Sequence, residues 1–384
     1  MSNVVNDRWG RLLALGIFAA TGVLAGCSAA DGGGTPSAEE VRTTEQAYDA
    51  SSDKPSAAVV ELPDNSDFVA AVNTNNELMV ATVRPGATSV SWTRLDTGAQ
   101  GVPTIARFDD GSLDMYVWKT DGPVLEYWRH AGDATFTIMS IEIEGTQVGA
   151  SASPMIVEVG DTSDYGISLA FPGSSTGLTY PVYTLDWSLN TGWASNDVAH
   201  GESFVETSNS LTGIPVPIKS TRPNPIFGGR GWINNDSLGW FATRTAKAWG
   251  QPYEVMFFHS DLDLVFPSTG NPTVTRNQNA YTSNGSQILF EYDVYKPDTW
   301  VVASGCKAGG SIGETGWFRG SNGHLVHLDD LTHTCTDEGE GVASKPVMAI
   351  NTGTKLVYFK GTAGTLWAHK WGTTQHFNTG LALN

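Results

Sequence analysis

Short apolar runs recur along the chain, each closed by a polar turn and reopened on leucine or isoleucine. The turns are Asn73-Thr-Asn-Asn-Glu-Leu78, Thr120-Asp-Gly-Pro-Val-Leu125, Ser174-Ser-Thr-Gly-Leu178, Asn234-Asn-Asp-Ser-Leu238, Ser283-Asn-Gly-Ser-Gln-Ile288, Ser321-Asn-Gly-His-Leu325 and Thr362-Ala-Gly-Thr-Leu366. Their anchors stand 37 to 60 residues apart. Apolar or alternating stretches precede most copies: Phe68–Val72, Leu113–Trp118, Tyr165–Phe171, Pro225–Ile233, Gly316–Phe318 and Leu356–Phe359. The fifth copy is weakest, because 277–282 is mostly polar. Each unit therefore predicts strand, tight turn, strand. Gly and Asn supply the positive φ that two-residue hairpin turns require.

A second marker lies upstream, where a proline opens an apolar run at Pro103, Pro154, Pro225, Pro272 and Pro346. Proline suits a strand start, where its nitrogen need not donate to the ladder. One β-unit repeated about every 45–50 residues has the period of a four-stranded propeller blade. The expected fold is all-β: a seven-bladed β-propeller of four-stranded antiparallel blades over residues 57–384. Ala57–Leu62 is then free to add a strand to the last blade and close the ring. Two β-sandwiches split near Pro225 form the alternative, which accounts for the strands but not for seven similar hairpins.

Composition agrees with a large β core. The 384 residues include 43 Gly and 13 Trp, with 16% charged and 10% aromatic. Disordered chains are charged and short of aromatics, so this one folds. Lys+Arg number 22 against 40 Asp+Glu, a formal net charge of −18. Nucleic-acid binding wants the opposite field. The acidity reads first as solubility. A second reading gives acidic loops to calcium, with Asp109-Asp-Gly-Ser-Leu-Asp114 the nearest to that chemistry; its hairpin-turn pattern and missing bidentate Glu argue against it.

The N-terminus carries a different message. Arg8 and Arg11 precede an apolar run from Leu12 to Leu24, too short for a comfortable membrane span. It ends in Leu24-Ala25-Gly26-Cys27, which resembles a bacterial lipobox. That resemblance implies a signal peptide over residues 1–26, cleaved before Cys27, and lipid on the Cys27 thiol. Ser28 follows where Asp resembles an inner-membrane retention signal, which points to an outer-membrane lipoprotein, periplasmic or surface-exposed. Residues 27–56, with Asp31-Gly-Gly-Gly-Thr-Pro-Ser37, read as a lipidated flexible tether.

With Cys27 committed to lipid, Cys306 and Cys335 remain. In an exported chain these two are expected to pair, because the compartment is oxidising. A loop of that size stabilises by about 3–4 kcal/mol in the chain-entropy view.

The last unit, Phe359-Lys-Gly-Thr-Ala-Gly-Thr-Leu-Trp-Ala-His-Lys-Trp371, resembles the repeat of bacterial seven-bladed propeller lectins with tectonin-like repeats. Tyr116–Trp128 is a fair second match. The resemblance implies glycan partners and pockets between blades. Aligned on their leucines, the other copies place Met79, Glu126, Thr179, Gly239, Leu289 and Val326 at the position of Trp367, so equivalent pockets in every blade are not expected.

The chemistry of sugar recognition points to the same residues. A sugar ring offers an apolar face for Trp or Tyr and a hydroxyl rim for polar side chains. By period two, Trp367, His369 and Trp371 share one strand face, and Glu126, Trp128 and His130 share the corresponding face of the second unit. These six are the candidate ligand-binding residues. The competing reading is that the rings fill space between blades.

Two other classes stay open: a propeller glycoside hydrolase or sialidase, and a protein-binding surface scaffold. Ser188-Leu-Asn-Thr-Gly-Trp193 resembles a sialidase Asp-box, with Asn for Asp and Trp two residues early. There is no Gly-x-Ser-x-Gly elbow, phosphate loop or zinc-protease helix, so no catalytic residue and no cofactor is assigned. No metal site is assigned either. His324, His327 and His333 form the densest histidine cluster, but His324 and His327 point to opposite sides of a strand and read as surface residues.

Overall fold

In a computed structural model, the described residues are 54–143, 146–148, 153–159, a series of strands between 167 and 303, and 306–384 apart from 311, 314, 330 and 350–352. The signal peptide, Cys27 and nearly all of the tether lie outside them, as do the turn segments 174–178, 234–235, 284–287 and 189–191.

Among the described residues every regular element is a strand. The strands fall into six four-stranded sheets, one three-stranded sheet and one two-stranded ladder, 142–143 with 146–147. Within each sheet, sequence neighbours pair antiparallel in chain order. The first sheet holds Ala58–Glu61, Asp67–Val72, Glu77–Val83 and Thr93–Thr97. The second holds Ala99–Arg107, Leu113–Lys119, Val124–Arg129 and Thr137–Ser140. Three more follow over 155–197, 216–258 and 273–303. The penultimate sheet is Trp317–Arg319, His324–Asp329 and Thr334–Gly341. The last is Val347–Met348, Leu356–Lys360, Thr365–Lys370 and His376–Ala382.

First strands of successive sheets run beside one another. Val347–Met348 neighbours Ala58–Glu61, which neighbours Ala99–Arg107, then Met155–Val159, Val216–Ile218 and Thr273–Val274. Serial antiparallel meanders with their first strands gathered together make a β-propeller. Two separate sandwiches would instead pair sheets within each half of the chain.

Packing between sheets follows the period-two alternation of the strands. Phe68, Ala70, Val72, Leu78 and Val80 meet Leu113, Met115, Val117 and Tyr127 of the second sheet. The opposite face, with Val69, Ala71, Ala81 and Val83, meets Leu356, Tyr358, Leu366 and Ala368 of the last. The ring is thus closed through an apolar seam between chain ends. Burial of this kind stabilises by about 25 cal/mol per Å² of apolar surface.

Closure does not use the expected strand exchange. Ala58–Glu61 pairs with Asp67–Val72 inside its own sheet. The seam is stitched by individual bonds: Lys345 N donates to Lys54 O (3.0 Å), Thr74 N to Ala382 O (3.2 Å) and the Trp92 indole to Thr379 O (3.0 Å). Pro55 bridges Lys345 beside the first of these bonds. Each sheet keeps its own strands, and the chain ends are held by the apolar faces together with these bonds.

The hairpin loops also differ from expectation. Gly361 N donates to Thr365 O (2.9 Å) and Gly364 N to Gly361 O (2.9 Å), which closes a three-residue loop. The same pair of bonds spans 73–77, 119–123 and 320–324. The third loop residue has positive φ in each: Asn76 (57°), Gly122 (107°), Gly323 (82°) and Gly364 (80°). This is a type I turn followed by a left-handed residue, which explains why Asn or Gly recurs there. Asp109–Gly111 forms the same loop, and Asp110 caps Ser112 N at 2.8 Å, so the calcium-like segment is a hairpin turn.

Four of the five marker prolines immediately precede a strand. Pro103 lies inside one, where the register of Ala99–Arg107 slips between Gln100 and Thr104. A bulge tolerates the missing N–H. Cys306 and Cys335 form a disulfide with Cα atoms 5.6 Å apart, tying the entry of the penultimate sheet to its outer strand.

Candidate functional site

The loop geometry corrects the alignment of the second unit with the last. Counted from the turn bonds, Val124 and not Leu125 occupies the place of Leu366. Pro123 belongs to the loop closure, so the leucine-based alignment is one residue out. A one-residue slip exchanges the two faces of a strand. Trp367, His369 and Trp371 therefore correspond to Leu125, Tyr127 and Arg129. Glu126, Trp128 and His130 lie on the opposite face.

That opposite face is largely interior. Glu126 is buried, and Tyr116 and Val124 pack toward Ile156, Ile167 and Leu169 of the following sheet. Tyr116 donates its hydroxyl proton to Asp114 Oδ2 (2.5 Å), while Asp114 Oδ1 is buried with no hydrogen-bond partner. Burial, reinforced by the Glu126 charge, holds the Asp114 carboxyl well above the usual range. Trp128 packs edge-on against Phe108 (5.5 Å) and His130 (5.2 Å). Glu126 and Trp128 thus stand in a packed seam, with His130 exposed at its rim.

Arg129 is equally committed. Its guanidinium lies 5.1 Å from the Phe68 ring centroid and 5.0 Å from that of Phe136, a cation–π clamp between first and second sheets.

Trp367, His369 and Trp371 do share one face, together with Val357 and Phe359 of the adjacent strand. Their neighbour, however, is the penultimate sheet, where Trp317, Leu325 and Val342 meet Val357, Phe359 and Trp367. The seam to the first sheet belongs to the other face, with Leu366 and Ala368. The face that carries Trp367, His369 and Trp371 therefore looks toward the penultimate sheet and away from the first.

Three different environments follow along this one strand. Trp367 is half-buried, donates Nε1 to Thr365 Oγ1 (3.0 Å) and lies against Gly361. A Cβ at Gly361 would stand 2.6 Å from Trp367 Cδ1, so the absence of a side chain there makes room for the indole. His369 is fully buried, with Nδ1 3.1 Å from Glu340 Oε1 and Nε2 3.8 Å from Glu338 Oε2. Trp371 is 36% exposed, the one large aromatic open to solvent among the described residues.

Around Trp371 the rings form a cross-sheet cluster. Trp371 stands 5.1 Å from His327 and 6.4 Å, edge-on, from Trp317. Trp317 in turn lies 4.6 Å from His327 and 6.0 Å from His369. His327 is thus a packing residue between sheets and not a simple surface histidine. His324, by contrast, is paired with Asp337 (3.1 Å) at the outer edge.

His376, on the outermost strand, faces Glu340 Oε1 at 3.0 Å and the Trp367 ring at 5.7 Å. The register places it directly opposite His369. Glu338, Glu340 and His376 escaped the sequence reading. Their strands lie outside the turn-and-leucine hairpins that mark the repeat, and the contact crosses from one sheet to another. The site that emerges is a seam of alternating rings and carboxylates between the penultimate and last sheets.

No protein-family model and no curated protein matches the chain. Solved structures do. A lectin, BP39L, from Burkholderia pseudomallei superposes with a TM-score of 0.52 over 86% of this chain and 98% of its own, at 11% identity. The Aleuria aurantia lectin, described as a six-bladed β-propeller with a novel mode of fucose recognition, covers 87% of this chain and 94% of its own, with TM-score 0.43 and 10% identity. AofleA from Arthrobotrys oligospora covers 87% and 89%, with TM-score 0.45 and 9% identity. At such identities likeness speaks to the fold alone. The sheet topology places the chain in the β-propeller class.

Proposed function

We propose that the protein is a surface-anchored lipoprotein whose propeller binds glycans without catalysis, counting the seven larger sheets as seven blades. Trp371 carries the reading. It is an exposed indole at a seam between sheets, flanked by His327 and with the Glu338 carboxylate near the adjoining His369. An apolar ring beside hydrogen-bonding groups is what a sugar's two kinds of surface require. The likeness in fold to a lectin supports the same reading. Lipid on Cys27 and the tether over 27–56 would hold the head at the outer membrane.

A glycan array on the purified head, followed by titration of the best ligand, tests the proposal. Trp371→Ala should weaken binding by about 1–2 kcal/mol, a stacking-sized loss. Its melting temperature should fall less than that of Trp367→Ala, because the Trp371 ring is the more exposed of the two. An array without signal, or full affinity in Trp371→Ala, removes the reading. For the anchor, Cys27→Ser should shift the protein out of the membrane fraction, and unchanged partitioning would refute lipidation.

A further inference from the structure

We propose that Glu340, His369 and His376 form a binding site for a divalent transition-metal ion of zinc's chemical class. The three residues converge from three strands and two sheets: Glu340 from Thr334–Gly341, His369 from Thr365–Lys370 and His376 from His376–Ala382. The two histidines are direct cross-strand partners, and the carboxylate comes across the seam to meet them.

The geometry is already that of a ligand set. Both Nδ1 atoms address a single oxygen, Glu340 Oε1, at 3.1 and 3.0 Å. All three donor atoms lie within 4.8 Å of one another. An ion with bonds of roughly 2.0–2.2 Å wants tetrahedral ligands about 3.3–3.6 Å apart, so it could enter with small side-chain adjustments.

Hydrogen bonding alone leaves this cluster incomplete. If both histidines donate from Nδ1 to Glu340, then Nε2 of His369 is a bare acceptor in a fully buried ring, and it has no hydrogen-bond partner. Oε2 of Glu340 is buried without a partner as well. Two orphaned polar atoms in one cluster are costly in an interior that normally satisfies such groups.

An ion on the Nδ1 side resolves the first of them. Metal at His369 Nδ1 moves the ring proton to Nε2, which then faces Glu338 Oε2, now 3.8 Å away. A carboxylate behind a ligating imidazole is the arrangement that orients metal-bound histidine. The Glu340 carboxylate can engage the ion through either oxygen. Trp317, 6.0 Å from His369, and Trp367, 5.7 Å from His376, wall the site with apolar surface.

Two imidazoles and one carboxylate suit zinc, nickel or copper. They do not suit calcium, which takes six to eight oxygens. The fourth position opens on the side of His376, whose side chain is 44% exposed, so a water or an external donor can complete the shell. This inference shares His369 and Glu338 with the glycan reading but does not rest on it, because metal binding is read without sugar.

The test uses the full chain carrying Cys27→Ser, which removes the thiol outside the disulfide, stripped with a chelator and titrated with Zn²⁺ alone by calorimetry. One saturable equivalent is expected, with a rise in melting temperature on loading. His376→Gln and Glu340→Gln should each weaken binding at least tenfold. His376 lies at an exposed edge, so His376→Gln should fold as the parent does and decides the question even if Glu340→Gln does not. His130→Gln, on another sheet, should leave the isotherm unchanged. Absence of saturable binding, or an unaltered isotherm in His376→Gln, overturns the proposal and leaves a hydrogen-bonded triad.

Discussion

Tyr358 donates its hydroxyl proton to Asp67 at 2.9 Å, joining residues 291 apart in sequence across the seam between the last and first sheets. Thr354 donates to the same Asp67 oxygen at 2.6 Å. All three are buried in the apolar seam that closes the ring. Burial first, then the Asp67 charge, raises the Tyr358 phenol well above its usual range, so it remains a neutral donor. Polar bonds here specify which faces meet, since apolar contact by itself is indifferent to register.

Tyr358→Phe removes one donor and leaves the ring's packing intact. It should lower stability in urea by about 1–3 kcal/mol, the range for a buried charge-assisted bond and the acceptor left behind. The change should appear in the midpoint and not in the slope. A loss indistinguishable from zero would mean that the seam is held by its apolar residues alone.

Asp114 predicts a pH dependence of opposite sign to the usual surface carboxylate. Its folded value is raised by burial and by Glu126. The folded chain therefore binds more protons than the unfolded one above about pH 4, and stability falls as pH rises from there toward the raised value. Asp114→Asn removes that slope. Its stability relative to the parent should increase between pH 4 and 8, measured by urea unfolding at each pH. A pH-independent difference would show that Asp114 does not titrate in this range.

Trp367 and Trp371 should part company under mutation although they share a strand face. Trp367 is packed at the seam and braced by Thr365, so Trp367→Ala should cost about 2–4 kcal/mol, somewhat less than a fully buried ring. Gly361→Ala should disturb the same ring, because the new Cβ would stand 2.6 Å from its edge. Tryptophan fluorescence and thermal unfolding read both effects. A stable Trp367→Ala with lost glycan binding would move the sugar site from Trp371 to Trp367.

The strand content, the sheet-by-sheet repeat and the pairing of two cysteines were legible in the sequence, because each rests on local physics. Period-two alternation makes a half-buried strand wherever it occurs. A residue with positive φ wants Gly or Asn whichever blade it serves. The expectation of an oxidising compartment makes the redox argument without reference to coordinates. The grouping of Trp367, His369 and Trp371 on one face is likewise a consequence of the pleat alone.

What lies opposite that face was decided only by tertiary structure. Leucine spacing placed Glu126 beside Trp367, but Pro123 takes part in a three-residue loop, and that one residue turns Glu126 into the interior. Closure looked like strand addition by Ala57–Leu62. The apolar faces of Val69, Ala71, Tyr358 and Leu366 instead let each sheet keep its own strands. Glu340 reaches His369 and His376 because two sheets stack, and a contact perpendicular to both strands leaves no period in either sequence to betray it.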